Sequence, residues 1–149
     1  SEGIMKRSVG RLISILYRKN QIYLNAAMKP LNITTAEQPI LMYLYRHNAV
    51  TQEEISTYLQ VDKALTARTV QSLIKKGLVT KEKDEKDKRC NKISMTQKGL
   101  DMREAMVEKF VGWNKIMLEG MDESKRNLLF ELLEEMVEKT EQHDLKGGN

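Results

Sequence analysis

Cysteine, proline and aromatic residues are scarce in this chain of 149 residues, which has one cysteine, two prolines and 5% aromatic residues. A single cysteine cannot form an internal disulfide, which fits a reducing cytoplasm. Few prolines favour long helices, and few aromatics imply a largely aliphatic core. No run approaches the roughly 18 apolar residues that a membrane span needs, and no signal-peptide pattern opens the chain. We therefore expect a cytoplasmic protein.

Positive charge is concentrated in one part of the sequence. The whole chain carries a net charge of +4, and residues 61–100 contain 11 Lys and Arg against 5 Asp and Glu. The rest of the chain has 14 basic and 16 acidic residues, so this one stretch holds the positive excess. Such a distribution permits nucleic-acid binding without proving it. The length fits one domain, with room for an oligomerisation element.

Apolar periodicity and capping signals predict three helices in the first 60 residues. Apolar side chains recur every three to four positions over Ile4–Met28, which indicates one long amphipathic helix that ends before Pro30. The pattern T-x-x-E then occurs twice, at the start of segments 34–47 and 51–59. In this capping box the hydroxyl accepts from a free backbone N–H and the carboxylate reaches back to the cap residue. Each segment is therefore predicted to be a helix.

The next segment predicts a fourth helix and a β-hairpin. Asp62 is a good N-cap for a helix that runs to Lys76 and stops at Gly77, which supplies a left-handed residue. With the short helix before it, this forms a helix-turn-helix. Leu78–Lys83 and Cys90–Met95 predict two strands, joined by a charged, solvated tip.

Two further helices are predicted towards the C-terminus, one beginning at Thr96 and one after Gly120 and Asp122. Their apolar stripes have helical spacing and consist of Met102, Met106, Phe110, Trp113 and Met117, and of Leu129, Leu132, Leu133, Met136 and Val137. The predicted fold class is mainly α with a small β-hairpin.

The order and spacing of these segments resemble the MarR (multiple antibiotic resistance regulator) family of bacterial and archaeal repressors. The resemblance is strongest over residues 31–100. It is carried by Ile33-Thr34, Thr51-Gln52-Glu53-Glu54-Ile55, Val61-Asp62-Lys63-Ala64, Arg68, Lys76-Gly77-Leu78-Val79, Asp84-Glu85-Lys86-Asp87-Lys88-Arg89, Thr96 and Gly99. It implies a winged helix-turn-helix DNA-binding domain over residues 31–96 and a helical dimerisation region formed by residues 1–30 and 97–146. The implied function is a ligand-responsive, homodimeric repressor of transcription on a pseudo-palindromic operator.

Residues 62–76 are then the recognition helix. We expect its buried side to carry Thr66 or Thr69, with Val70, Leu73 and Ile74. The outward side is expected to carry Lys63, Ala64, Leu65, Ala67, Arg68 and Gln71. An α-helix fits the major groove, where polar side chains can hydrogen-bond to bases or phosphates and Ala64 and Leu65 can only pack, for instance on a thymine methyl. The alternative is an ordinary exposed helix, which the neighbouring helix and hairpin disfavour.

The charged hairpin tip is then the wing. The resemblance implies that Arg89 enters the minor groove while Asp87 holds its guanidinium. A narrow A·T-rich groove attracts arginine, and a carboxylate two positions away along a strand lies on the same face. The surrounding lysines would contact phosphates and add affinity rather than sequence choice; they are Lys81, Lys83, Lys86, Lys88 and Lys92. The alternative is a solvated charge cluster without fixed pairing.

A small anionic or aromatic ligand commonly binds between the two regions in this family, and Tyr17, Arg18, Tyr43 and Trp113 could line such a pocket. The alternative is core packing for the three aromatic residues and an exposed position for Arg18. The family's redox mode relies on a cysteine in the first helix, whereas the cysteine here is Cys90, which has no internal resolving partner. No cofactor and no metal site are expected, because two histidines do not make a four-ligand zinc site without unusual help.

Two other classes of function can be weighed. An enzyme would need a convergent set such as Ser/His/Asp or paired carboxylates, and the sequence offers no such spacing, so we expect no enzyme activity. A winged helix that serves as a protein-interaction adaptor is the alternative to DNA binding, since the fold does not fix the function. The basic wing and Arg68 favour DNA, and failure to retard any duplex at low salt would favour the adaptor.

Overall fold

Helix α1 spans Val9–Met28 in the computed structural model, which describes residue 3 and residues 7–147. Ser8 caps the helix by accepting a hydrogen bond from the backbone N–H of Arg11 (3.2 Å). The predicted start at Ile4 lies outside the described residues. A 3-10 turn over Lys29–Leu31 follows, and its proline ends the helix as predicted.

Both predicted capping boxes are present. Thr34 Oγ1 accepts from the N–H of Glu37 (3.1 Å), and the Glu37 carboxylate accepts from the N–H of Thr34 (2.9 Å). The equivalent distances between Thr51 and Glu54 are 3.0 and 2.7 Å. These caps precede α2, Glu37–Leu44, and α3, Gln52–Leu59.

Helix α2 ends at Leu44 rather than near His47 as predicted. The backbone N–H groups of Arg46 and His47 both donate to the carbonyl of Tyr43, at 3.0 Å each, which tightens the chain into a turn. Ala49 then adopts a left-handed conformation with φ of 58°, which takes the backbone out of the helix.

Helix α4, the second helix of the helix-turn-helix, spans Lys63–Lys75. Asp62 caps it by accepting from the N–H of Leu65 (2.7 Å), and Gly77 follows it with φ of 73°. Both features were predicted. The turn between α3 and α4 depends on Gln60, whose φ of 57° is left-handed.

The wing is a two-stranded antiparallel sheet of β1, Val79–Lys83, and β2, Asn91–Met95. Its register pairs Val79 with Met95 and Lys83 with Asn91. Val50, in the loop before α3, adds a bridge to Ile93 through two backbone hydrogen bonds of 3.1 and 2.6 Å. The base of the wing is therefore bonded directly to that loop.

The predicted single helix after Thr96 is wrong, because the structure has two: α5, Gln97–Asp101, and α6, Arg103–Leu118. Thr96 caps α5 as expected, accepting from the N–H of Gly99 (3.1 Å). The Gly99 carbonyl then accepts from the Tyr45 hydroxyl (2.8 Å) and from the N–H of Met102 (3.2 Å). This tight turn at Met102 separates the two helices.

Two compact units divide the chain, residues 1–113 and residues 114–149. The second contains the end of α6 and helix α7, Glu123–Gln142. Gly120, with φ of 79°, and Asp122, which accepts from the N–H of Lys125 (2.9 Å), mark the start of α7 as predicted. None of the described helices is both long and apolar enough to cross a membrane.

The core of the first unit is aliphatic, as expected. Its buried side chains come from the end of α1, from α2, α3 and α4, and from the wing; they include Leu24, Met28, Ile40, Leu41, Leu44, Ile55, Val70, Leu73, Val79 and Ile93. In α2 the side chains that face this core are Ile40, Leu41 and Leu44. By contrast, the apolar residues in the first half of α1 are 47–57% exposed; they are Val9, Leu12, Ile13 and Leu16.

Candidate nucleic-acid interface

The outward side of α4 carries most of the residues of that helix that were predicted to contact DNA. Lys63, Ala64, Arg68 and Gln71 are exposed, whereas Leu65 is half-buried and lies at the edge of a cavity described below. On the predicted inner side Val70 and Leu73 are buried and Ile74 is half-buried. Helix α4 packs against β1, so the helix and the wing belong to one continuous substructure.

Both candidate threonines on the inner side of α4 are buried, Thr66 at 1% exposed and Thr69 at 6%. The Ser56 hydroxyl of α3 donates to Thr66 Oγ1 (2.8 Å), and the Thr66 hydroxyl donates to the carbonyl of Asp62 (3.1 Å). The Thr69 hydroxyl donates to the carbonyl of Leu65 (2.8 Å). The Ser56–Thr66 pair therefore joins the two helices of the helix-turn-helix through a buried polar contact.

Glu37 anchors the other end of α4, a contact that the sequence reasoning missed. The Ser72 hydroxyl donates to Glu37 Oε2 (2.6 Å), and Lys76 Nζ donates to Oε1 (2.7 Å). Burial alone would raise the pKa of this carboxyl, but the hydrogen bonds from Lys76 and Ser72 outweigh it and the pKa is lowered. The T-x-x-E pattern showed only the role of Glu37 as a cap, because its partners on α4 are distant in sequence.

The wing tip holds Arg89 against Asp87. Arg89 Nε donates to Asp87 Oδ1 (3.0 Å) and Nη2 donates to Oδ2 (3.3 Å), a two-point contact with the planar guanidinium. The Arg89 side chain is nevertheless 90% exposed. The side-chain hydrogen bond from Arg89, and then its backbone hydrogen bond, lower the pKa of Asp87.

The predicted pairing is present, but it does not arise from two positions on one face of a strand. Both residues lie in the turn between β1 and β2. The backbone N–H of Arg89 also donates to Asp87 Oδ1 (3.1 Å), as in a turn that an aspartate side chain stabilises. The N–H of Cys90 donates to the carbonyl of Asp87 (3.0 Å) and closes the turn. The Cys90 thiol lies 3.7 Å from Asp87 Oδ2, within weak hydrogen-bond range.

The lysines predicted to contact phosphates surround this tip. Four of them are exposed and Lys92 is half-buried; the exposed ones are Lys81, Lys83, Lys86 and Lys88. Among the described residues no group of three or more His, Cys, Asp or Glu is arranged to hold a metal ion.

Two of the more enclosed cavities in the first unit are lined by residues suggested for a ligand pocket. One of about 450 Å³ is lined by Tyr17 and Gln21 of α1, by residues around the start of α2, and by Leu65, Thr66 and Thr69 of α4. Another of about 220 Å³ lies between α2, α3 and α6, where Tyr43, His47, Tyr58 and Phe110 contribute to the lining.

The four residues suggested for a ligand pocket do not meet at one place. Tyr17 lines the larger cavity and Tyr43 lines the smaller one, where its ring stacks on His47 at 4.5 Å. The Trp113 ring packs against Tyr23 at 5.4 Å between centroids. Arg18 donates a hydrogen bond to Ser14 of its own helix and is exposed.

A helix-turn-helix followed by a two-stranded hairpin defines a winged helix-turn-helix protein. The model of the MarR family matches residues 31–89. The crystal structure of a MarR transcriptional regulator from Methanosarcina mazei Go1 is 36% identical, covers 90% of this chain and 96% of its own, and superposes with a TM-score of 0.81. The chain belongs to the MarR family of transcriptional regulators.

Other relatives agree with this assignment. The HTH-type transcriptional regulator BilQ of Clostridioides difficile is 26% identical over 129 residues, which is 86% of this chain and 87% of BilQ. A putative MarR family regulator from Listeria monocytogenes, solved with a 26mer DNA, superposes with a TM-score of 0.85 at 22% identity over 89% of each chain. This last likeness supports the fold. Members of the family are transcriptional regulators and not enzymes, which confirms that prediction.

Proposed function

We propose that this protein is a homodimeric, sequence-specific DNA-binding repressor, with α4 in the major groove and Arg89 in the minor groove. The observation that carries the proposal is the exposed guanidinium of Arg89 held at two points by Asp87. A side chain already fixed in its binding orientation loses less conformational entropy when it enters a groove. Nothing in an ordinary solvated turn requires such an arrangement.

The composition of the outward side of α4 supports direct contact with bases. Arg68 and Gln71 are exposed and can form paired hydrogen bonds with guanine and adenine respectively, the pairings that major-groove geometry favours. Lys63 and the wing lysines contribute attraction to phosphates, which is the salt-dependent part of the affinity. Because the DNA of bacteria and archaea lies in the cytoplasm, we place the protein there.

A homodimer is supported by apolar side chains that a single chain leaves exposed. In α1 they are Val9, Leu12, Ile13 and Leu16, and in α7 they are Leu128, Phe130, Leu132, Leu133 and Val137. Both helices belong to the proposed dimerisation region, residues 1–30 and 97–146. A two-fold dimer would address half-sites about 10 base pairs apart, so the operator would be a pseudo-palindrome. Light scattering at micromolar concentration should give about twice the chain mass of 17.3 kDa, and a stable monomer would contradict this part.

Ligand response is supported by the larger cavity, since α4 forms part of its wall. Among the described residues that line it there is no lysine or arginine, so we favour a small aromatic ligand with hydroxyl or amide groups over an anion. Tyr17 and Gln21 offer the polar groups that would orient it. An occupant that displaces Leu65 would move the DNA-contacting helix directly.

Selection of duplexes from a random pool tests the main proposal. We expect enrichment of a two-fold symmetric sequence with an A·T-rich flank at each wing position, and a mobility shift that weakens steeply with salt. Arg68→Ala should abolish preference at one position in each half-site. If the chain retards no duplex at low salt, the protein-interaction adaptor becomes the better description.

A further inference from the structure

We propose that Glu37 is a positioning residue for DNA recognition. It fixes α4 from the buried side, so that its loss reduces discrimination between sequences more than general affinity for DNA. The inference rests on the proposed role of α4 as the recognition helix. Glu37 itself is 1% exposed and acts through the helix that it holds.

The two oxygens of the Glu37 carboxylate serve different elements. Oε1 accepts from the backbone N–H of Thr34 (2.9 Å) and from Lys76 Nζ (2.7 Å), and Oε2 accepts from the hydroxyl of Ser72 (2.6 Å). Ser72 and Lys76 are four positions apart, one turn of helix, on the same side of α4. One carboxylate therefore fixes both the rotation and the axial position of α4 against the start of α2.

Further contacts fix the same end of α4. Lys76 Nζ also donates to the carbonyl of Asn32 (2.7 Å), and Lys98 Nζ donates to the carbonyl of Lys76 (2.9 Å). The opposite end is held by the hydroxyl pair of Ser56 and Thr66. The charged contact at Glu37 is thus a polar anchor on the inner side of the recognition helix, towards the end opposite to the Ser56–Thr66 pair.

Directional anchors matter here because apolar packing is not directional. A helix held only by Val70 and Leu73 could rotate slightly at little cost, whereas a charge-assisted hydrogen bond defines one geometry. Hydrogen bonds to base edges need donor–acceptor distances of about 2.7–3.2 Å, so a small rotation of α4 disrupts them. Flexible lysines that contact phosphates can follow the same rotation. Loss of the anchor should therefore affect sequence choice first.

The test compares Glu37→Gln with Glu54→Gln. Glu54 is the carboxylate of the other capping box and bonds to Thr51 at 2.7 Å. Both substitutions remove one negative charge per chain and weaken one capping box, but of the two residues Glu37 is the one that hydrogen-bonds to Ser72 and Lys76. Simple electrostatics predicts slightly tighter binding to every duplex for both variants.

Titration uses two duplexes at fixed salt, well below the melting temperature of each variant: the sequence that the parent protein enriches most, and a shuffled duplex of the same composition. Glu37→Gln should lower the ratio of the two affinities about tenfold, the value of roughly one good base contact. Glu54→Gln should leave the ratio unchanged. Equal ratios for the two variants would overturn the inference.

Ser72→Ala keeps the test decisive if Glu37→Gln does not fold. It removes one arm of the anchor without a change of charge, and it should lower the same ratio by a smaller factor while leaving affinity for the shuffled duplex unchanged. An unchanged ratio in Ser72→Ala, with Glu37→Gln unfolded, would also overturn the inference. A parent protein that does not distinguish the two duplexes would instead refute the proposed function, and this inference with it.

Discussion

Replacement of Thr66 by valine tests the buried contact that joins the two helices of the helix-turn-helix. Valine keeps the branched shape of threonine but removes its hydroxyl, so the change is chemical rather than one of size. That hydroxyl accepts from Ser56 Oγ (2.8 Å) and donates to the carbonyl of Asp62 (3.1 Å). Ser56 is 7% exposed and Thr66 is 1% exposed, so water does not readily replace the lost partner.

The expected loss of stability follows from what each partner retains. The Asp62 carbonyl still accepts from the backbone N–H of Thr66 at 3.1 Å, so it stays satisfied. The Ser56 hydroxyl loses its acceptor at a buried site, which costs about 1–3 kcal/mol. We therefore expect Thr66→Val to lower the free energy of unfolding by about 1–3 kcal/mol and the melting temperature by several degrees, since about 2–4 °C corresponds to 1 kcal/mol in a chain of this size.

A double-mutant cycle with Ser56→Ala completes the test. Replacing both hydroxyls leaves no unpaired group, so the double variant should be less destabilised than the sum of the single variants, with a coupling of about 0.5–3 kcal/mol. Urea unfolding at one fixed protein concentration measures all four proteins, because a dimer makes apparent stability depend on concentration. If the two effects add to within about 0.3 kcal/mol, the hydroxyls do not interact and the reasoning fails.

Three further predictions concern the wing, the recognition helix and acid stability. Arg89→Ala should remove most of the affinity for the operator without lowering the melting temperature. Asp87→Ala should also weaken operator binding, although it makes the protein more positive. Tighter operator binding by Asp87→Ala would show that Asp87 does not orient Arg89. Arg68→Ala should reduce the binding free energy for the operator by about 1–3 kcal/mol and leave binding to random duplexes unchanged. Lys88→Ala should weaken binding to all duplexes equally and lower the slope of log affinity against log salt by about one per contact. Titration of operator and random duplexes at several salt concentrations distinguishes these two results. Because the pKa of Glu37 is lowered in the folded state, its stabilising contribution is complete above the ordinary glutamate pKa and is lost as the pH falls through the lowered value. The difference in unfolding free energy between the parent and Glu37→Gln should therefore shrink in acid, and a difference that stays constant from neutral to strongly acidic pH would contradict this.

The sequence predicted those parts of the fold that depend on neighbouring residues. The capping boxes at Thr34 and Thr51, the cap at Asp62 and the stop at Gly77 each involve groups within a few positions, so their spacing is sufficient evidence. The break at Met102 was missed; the Gly99 carbonyl next to it accepts from the Tyr45 hydroxyl, which comes from a distant segment that no local pattern reports.

The sequence predicted which residues are exposed at the candidate site, but not the contacts that hold them in place. The exposed positions on α4 follow from helical periodicity, and the wing follows from alternating residues and a charged tip. The anchor between Glu37 and Ser72 joins residues 35 positions apart, which no local pattern reports. Likewise Tyr17, Tyr43 and Trp113 are plausible pocket residues by type, but packing assigns them to different places.

The bridge between Val50 and Ile93 ties the base of the hairpin to the loop before α3 and should make that part stiffer than the tip. Ile93 is hydrogen-bonded at 3.1 and 2.6 Å to the loop that precedes α3, so β2 behaves there as the middle strand of a very small sheet. Bending should therefore concentrate beyond Lys83 and Asn91, in the turn that carries Arg89. Such a hinge would let the arginine follow grooves of different width while α4 keeps its place. Amide hydrogen exchange should then be slow at Ile93 and fast at Glu85 and Lys88.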